Sequence, residues 1–290
     1  MKVELSVIVP VYRDWGRLKI LIDSLDKQTF NSNLFEVIIV NNDPDSPPPT
    51  TLKIPENLII VECAKPGSYA ARNIGIKLAT ADVLAFTDSD CIPSSKWLQE
   101  GFIKIKKGSD LVGGEMVFFK AKETDSSLVF LYEKCFSFNQ KRNVDKYKKS
   151  ITANLFVRRS VFNQLGGFDE ETFSGADSQW TKKATDSGFS ISFATNSIVK
   201  HPSRKSVSEL FSKKKRTSGG YFELEFRQYG PFKKIKTYLN LLRPPVKVFF
   251  LKNLNFFKKT QLFGLKWIVE LVGVVELIQL SLTNRKTLRS

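Results

Sequence analysis

Asp88 and Asp90 stand two residues apart in Thr87-Asp88-Ser89-Asp90, directly after the short apolar run Asp82–Thr87, which reads as a buried strand. Ligands in open α/β sheets bind at the carboxyl ends of strands. Two carboxylates leaving a strand at i and i+2 can both reach one hard cation, which keeps its waters and bridges to phosphate oxygens. On spacing alone the same pair also fits a solvated turn that caps the next helix. His201, the sole histidine, follows the apolar run Ser190–Val199 and is returned to a strand end, where neutral imidazole is a ligand form; a lone histidine is also commonly structural. Cys63, Cys91 and Cys135 have no neighbouring histidine, and their odd number and spacing fit neither a disulfide framework nor a zinc site. They read as packing residues of a protein in a reducing compartment.

These groups need a scaffold. Val3–Val11 is a β-rich apolar run, and Asp14–Gln28 places Leu18, Leu21, Ile22 and Leu25 at helical spacing. Phe35–Val40 and Leu58–Glu62 read as strands, separated by a polar loop from Asn41 through Pro47–Pro49. After the Lys65-Pro66-Gly67 turn, Ala70–Ala79 reads as a helix, and Asp82–Thr87 completes a βαββαβ order, that of a three-layer α/β fold. Ser94–Lys107 looks helical, Asp110–Phe119 and Thr152–Arg158 extended, and Ser127–Tyr147 fits neither period. Ser160–Leu165 and Asp177–Ser187 read as helices closed by glycine, and Ser190–Val199 as a strand. From Ser206 the pattern is helical and basic, broken at Gly219-Gly220, Gly230-Pro231 and Pro244-Pro245.

The chain's 290 residues, 42% hydrophobic with a net charge of +16, exclude a disordered tail, a disulfide-stapled miniprotein and a polytopic transporter. The charge is unevenly spread. Residues 1–199 carry 25 basic against 24 acidic side chains, whereas residues 200–290 carry 20 against 5, interleaved with nine phenylalanines. Two modules are implied. The amino-terminal apolar run is too short for a signal segment and reads as the first strand.

The segments SVIVPVYRD, KPGSYAARNIGI, FTDSDCIP, LGGFDE and GADSQW occur in this order and resemble the family 2 glycosyltransferases over residues 3–205. The resemblance implies a GT-A fold, a Rossmann-like three-layer α/β architecture with a mostly parallel mixed sheet. It further implies a nucleotide-sugar half at about 1–110, an acceptor half at about 111–205, and inverting transfer from a nucleoside-diphosphate sugar with a divalent ion, Mn²⁺ or Mg²⁺. Carried over, Pro10, Val11 and Tyr12 lie beside base and ribose, and Asn41-Asn42-Asp43 takes the place of the family's acidic base-contacting pair. An amide still suits a pyrimidine edge, so a UDP-sugar is favoured, although an Asx turn explains the same residues. Gly67, Arg72 and Asn73 match the family segment that faces base and diphosphate. Asp88 is placed at ribose or metal, Asp90 as principal metal ligand, His201 as a further ligand or diphosphate contact, and Asp177 as general base. Asp177 also suits a helix cap, and Ala176 replaces the family's usual Glu. Trp180 is expected as an acceptor-sugar platform if exposed, or as core.

Residues 206–290 form the second module. Lysine clusters alternating with Phe249-Phe250 and Phe256-Phe257 suit an anionic membrane surface, and the apolar stretch Leu262–Leu282, carrying Lys266, Glu270 and Glu276, suits an interfacial or re-entrant helix better than a span. Packing of that stretch as a buried helix is the alternative. No multi-span processive pattern occurs, so the expected enzyme transfers one sugar to a saccharide or polyprenyl-linked acceptor in surface polysaccharide or glycan assembly, attached peripherally to the cytoplasmic face of the cell membrane. A catalytically silent nucleotide-sugar-binding scaffold and a nucleic-acid-binding protein are the rivals; no RNA-recognition or helix-turn-helix signature favours the latter.

Overall fold

The computed structural model describes residues 2–172 and 174–283. In chain order the elements are β1 (Leu5–Val11), α1 (Trp15–Leu25), β2 (Phe35–Asn41), β3 (Leu58–Glu62), α2 (Ser68–Leu78), β4 (Val83–Phe86), β5 (Ile92–Pro93), α3 (Trp97–Lys106), β6 (Leu111–Phe119) and α4 (Ser127–Phe136). They continue with α5 (Gln140–Tyr147), β7 (Leu155–Arg158), α6 (Arg159–Leu165), α7 (Ala176–Asp186), β8 (Ile191–Pro202), α8 (Val207–Leu224), α9 (Pro231–Leu242) and α10 (Phe256–Leu282). Two compact units result. The first runs to Val117 and takes in Phe138–Glu171 and Ala176–Pro202; the second comprises Phe118–Ser137, Thr172–Gly175 and the residues from Ser203 onward. Part of the expected acceptor half, including α4, therefore belongs with the carboxy-terminal helices.

The first unit is built on one sheet in the order β3-β2-β1-β4-β7-β6-β8-β5. β1 pairs in parallel with β2 and with β4, and β2 with β3, while β4–β7, β6–β7 and β5–β8 are antiparallel. The sheet is mixed as expected, with parallel pairs joining β1, β2, β3 and β4. β1, β2 and β4 are mainly apolar and buried because both faces are covered. Leu5, Val7, Val9 and Val11 of β1 pack with Leu18, Leu21 and Leu25 of α1, whereas Ile8 packs in the opposite layer with Ala70 and Ala71 of α2. α1 and α2 thus lie on opposite faces, and the chain order reverses between β1 and β4. Such a switch point opens a crevice at the carboxyl ends of the two strands.

The second unit is helical and has its own small cores. Leu210 of α8 packs with Val129 and Tyr132 of α4 and with Leu262, Leu265 and Val269 of α10, and Phe226 packs with Leu277 and Leu280. Two expectations change here. α8 runs straight through Gly219-Gly220. A Cβ at Gly220 would lie 2.2 Å from the Ser174 carbonyl oxygen, so this glycine serves close backbone approach and not a helix break. Pro231 does start α9, and Pro244 follows its end. Along residues 262–282, α10 buries a face containing Leu262, Val269, Val274 and Leu277, and Lys214 donates to Glu270 at 2.6 Å. This face is occupied by protein, as in the packed-helix alternative, and no described helix is long and apolar enough to cross a membrane.

Candidate active site

Tyr12 and Asp88 leave the parallel strands β1 and β4 at the switch point. The ligand atoms of Asp88, Asp90, Cys91 and His201 all lie within 4.8 Å of one another. The structure thus brings together the two carboxylates and the imidazole singled out above. His201 Nδ1 donates to the Pro202 carbonyl oxygen at 2.7 Å, which orients the ring with Nε2 3.9 Å from Asp90 Oδ1. Phe138 backs the ring at 5.3 Å between centroids. Complete burial, more than the nearby Asp88 and Asp90 charges, pushes the Cys91 thiol well up, and the hard-cation donors of the cluster are its two carboxylates and the imidazole. That set fits a divalent cation such as Mn²⁺ or Mg²⁺.

The cations around this cluster are placed by α1 and α2. Arg72 is buried and donates through Nη2 to Asp88 Oδ1, while its Nε is a buried donor with no acceptor. Such an orphan is costly unless something else supplies an oxygen. Arg17, which sequence reasoning missed, reaches Asp14 at 2.6 Å and Asp90 at 3.4 Å. Its only signal was a lone Arg on the exposed side of an amphipathic helix.

Pro10 and Val11 are buried at the end of β1, and the Tyr12 ring is 57% exposed, with the Arg13 guanidinium 5.1 Å from its centroid. Arg13 has φ +56° and donates to Asp43. The amide of Asn41 is spent within its own loop and that of Asn42 on the turn before α2. Asn41 donates to Ser46 O at 3.1 Å and accepts from the Asp43 amide; Asn42 donates to the carbonyls of Cys63 and Lys65 and accepts from Gly67 N–H at 2.7 Å. The Asn41 pairing is the Asx-type geometry of the alternative reading, whereas Asn42 bridges to a distant turn. Gly67, at φ +125°, precedes the first turn of α2. Asn73 faces the loop after α6, donating to Phe168 O and Glu170 and accepting from Phe168 N–H.

Asp177, buried in the first turn of α7, has both oxygens engaged. Oδ1 accepts from Tyr69 Oη at 3.1 Å and Ser178 N–H at 2.8 Å, and Oδ2 from Thr152 N–H at 3.0 Å and Thr152 Oγ1 at 3.2 Å. Burial first, then the Asp177 charge, push the Tyr69 hydroxyl above its ordinary range and keep it a donor. Neither Tyr69 nor Thr152 was foreseen as a partner, although Tyr69 lies inside the KPGSYAARN segment. Trp180 is not a platform: it is buried, stacked on Phe162 at 4.1 Å, and donates to Gly166 O at 2.9 Å.

Residues 6–166 match the family model described as Glycosyl transferase family 2. The glycosyltransferase AglE of Haloferax volcanii is 35% identical over 76% of this chain and 73% of its own length. The probable glycosyltransferase YdaM of Bacillus subtilis is 23% identical over 68% of this chain, which spans only 50% of YdaM. Among solved structures, mannosyltransferase PcManGT of Pyrobaculum calidifontis, in complex with GDP-Man and Mn²⁺, superposes with a TM-score of 0.64 at 16% identity, covering 99% of this chain and 89% of that one. S. aureus TarS 1-349 in complex with UDP superposes with a TM-score of 0.55 at 18% identity, covering 92% and 90%. These likenesses show the GT-A fold. With a carboxylate pair at the switch point, five motifs in order and a relative more than a third identical over most of both chains, this protein belongs to glycosyl transferase family 2 and is a glycosyltransferase.

Proposed function

We propose that the enzyme moves one sugar, with inversion, from a nucleoside-diphosphate sugar to a hydroxyl of a saccharide or polyprenyl-linked acceptor in glycan or surface polysaccharide assembly. The observation that carries this reading is the Asp88–Asp90–His201 cluster at the switch point, beside the buried orphan Nε of Arg72. Mn²⁺ or Mg²⁺ held by Asp88, Asp90 and His201 would supply positive charge against the diphosphate leaving group. The remaining work falls to the chain. Arg72, charged and sequestered, offers its unsatisfied N–H to a phosphate oxygen, and the amides opening α2 after Gly67 favour the same anion. Tyr12, exposed above the buried Pro10 and Val11, suits stacking on a base. With the Asn41 and Asn42 amides already bonded to backbone, the proposal of a UDP-sugar draws its support from TarS, solved with UDP and with UDP-GlcNAc, against PcManGT, solved with GDP-Man.

Asp177 is the proposed base. Its longest contact is to the Thr152 hydroxyl, which can rotate about one bond, so that lone pair is the one an acceptor hydroxyl can take. Tyr69 and the Thr152 amide then hold the carboxylate in place. The basic second unit supports peripheral attachment to the inner membrane face, where a lipid-linked acceptor is met. A screen of UDP-, GDP- and dTDP-sugars by thermal shift, with and without Mn²⁺ or Mg²⁺, tests the donor half. Ion-dependent stabilisation by a UDP-sugar is expected. No stabilisation by any donor with either ion would overturn it.

A further inference from the structure

The geometry points to α9 and the segment after it, and not to α10, as the element that enters an anionic lipid surface. Phe232, Ile235, Leu239 and Leu242 recur at i, i+3, i+7 and i+10 and form one stripe on α9. All four are exposed, Phe232 by 82%, Ile235 by 57% and Leu239 by 58%. The opposite side of the helix is already used. Tyr238 and Leu241 pack into the cluster around Phe226, and Lys234 lies over the Phe226 ring. Every large apolar side chain on the stripe therefore faces away from the unit's own core. The segment continues in kind, with Val246, Phe250, Phe256 and Phe257 all exposed.

Charge identifies the partner. Between residues 231 and 259 there are eight basic side chains and no acidic one, and Lys233 and Lys236 flank the apolar stripe on one side. An apolar stripe bordered by lysines gains from acyl chains and anionic headgroups together, which neither water nor RNA offers. α10 is the weaker choice despite its length. Its face bearing Leu262, Val269 and Leu277 is buried, and Glu270 sits among its charges, accepting from Lys214 and Lys266. The proposal rests on the reading of the basic unit as membrane-facing and is independent of the donor assignment.

The test is co-sedimentation of the full chain with phosphatidylcholine vesicles with or without phosphatidylglycerol, at low and high salt. The native protein should pellet with phosphatidylglycerol vesicles. The double variant Ile235→Asp with Leu239→Asp should lower partitioning by more than about tenfold, since each side chain loses its apolar burial. The control, Ile268→Asp with Val275→Asp on the exposed side of α10, should stay within about twofold of native. Native circular dichroism and melting curves for both variants ensure that folded protein is compared. Equal binding by native protein and the α9 variant overturns the assignment while leaving the membrane reading intact. A native protein that stays in the supernatant with every vesicle overturns both. Self-association abolished by the α9 changes, without any vesicle binding, would give the stripe to a second copy of the chain. Salt-sensitive RNA binding, indifferent to the α9 changes and without vesicle binding, would give the basic surface to nucleic acid.

Discussion

The two units handle charge in opposite ways. At the switch point of the first, Asp88 and Asp90 remain part-exposed and share Arg72 and Arg17 with other demands: Arg17 also serves Asp14, and one Arg72 nitrogen has no acceptor. In the second, Glu133 is fully buried and satisfied by its own cations, accepting from Arg204 at 2.8 Å and Lys213 at 3.1 Å, while phenylalanines stand outside. Incomplete compensation keeps the first cluster ready for an added cation or anion. Complete compensation makes the second network a fixed structural core and leaves the surplus lysines for the surface. Comparing them separates charge that is ready for a ligand from charge that only holds the fold.

The contrast breaks most visibly at Asp90. Asp90→Ala should abolish ion-dependent donor binding while leaving the melting temperature near native, because this carboxylate stands at a part-exposed strand end. Calorimetric titration with Mn²⁺ and a nucleotide sugar measures this; an unchanged affinity with the same ion dependence would remove Asp90 from the metal site. Next in size, Asp177→Asn should keep donor binding and slow transfer by about 10²–10⁴-fold. Near-native turnover would make Asp177 a residue that only ties Tyr69 and Thr152 to α7.

Glu133→Gln probes the other side of the contrast. Removing one partner of a buried ion network leaves cations uncompensated, and a loss of about 3 kcal/mol is expected in denaturant unfolding. Desolvation raises the Glu133 pKa, but Lys213 and Arg204 more than reverse it, so the net shift is downward. Its contribution is therefore complete above the ordinary carboxylate range and is lost as pH falls through that range toward the depressed folded value. The native chain should lose more stability than the variant between about pH 5 and pH 3; parallel acid curves would refute this. Smallest is Gly220→Ala. Alanine favours a helix by about 1 kcal/mol, yet the Ser174 backbone must move, so a net loss of about 1–2 kcal/mol is expected. A stabilised variant would mean that the Ser174 segment yields freely.

The strands β1 to β4 and helices α1 to α3 were legible because period and punctuation agree: β-branched runs closed by Asp, Asn, Pro or Gly, and helices with one apolar face. The carboxylate pair was legible for the same reason, being the first polar residues after an apolar strand. What escaped depends on contacts distant in sequence. Gly219-Gly220 has the same composition whether it ends a helix or admits a neighbouring backbone. Trp180 carries no mark of the Phe162 ring stacked on it, and Thr152 lies far along the chain from the carboxylate it holds. The Ser127–Tyr147 stretch fitted no period because it contains two helices, α4 and α5, with the turn at Phe138 between them at φ +43°. α10 showed enough apolar residues for an interface, but only its neighbours reveal that one face of it is already used.

Asn42 has a consequence for the thermodynamics of ligand capture. One side chain ties together the carbonyls of Cys63 and Lys65 and the amide of Gly67, so the turn that launches α2 is held before any ligand arrives. The entropy of ordering that turn is spent when the chain folds, and a ligand reaching Gly67 and Arg72 meets a surface already set. Loosening the knot with Asn42→Ala would move that cost to the binding step, where it would appear as a less favourable entropy and a slower association, with no direct contact removed.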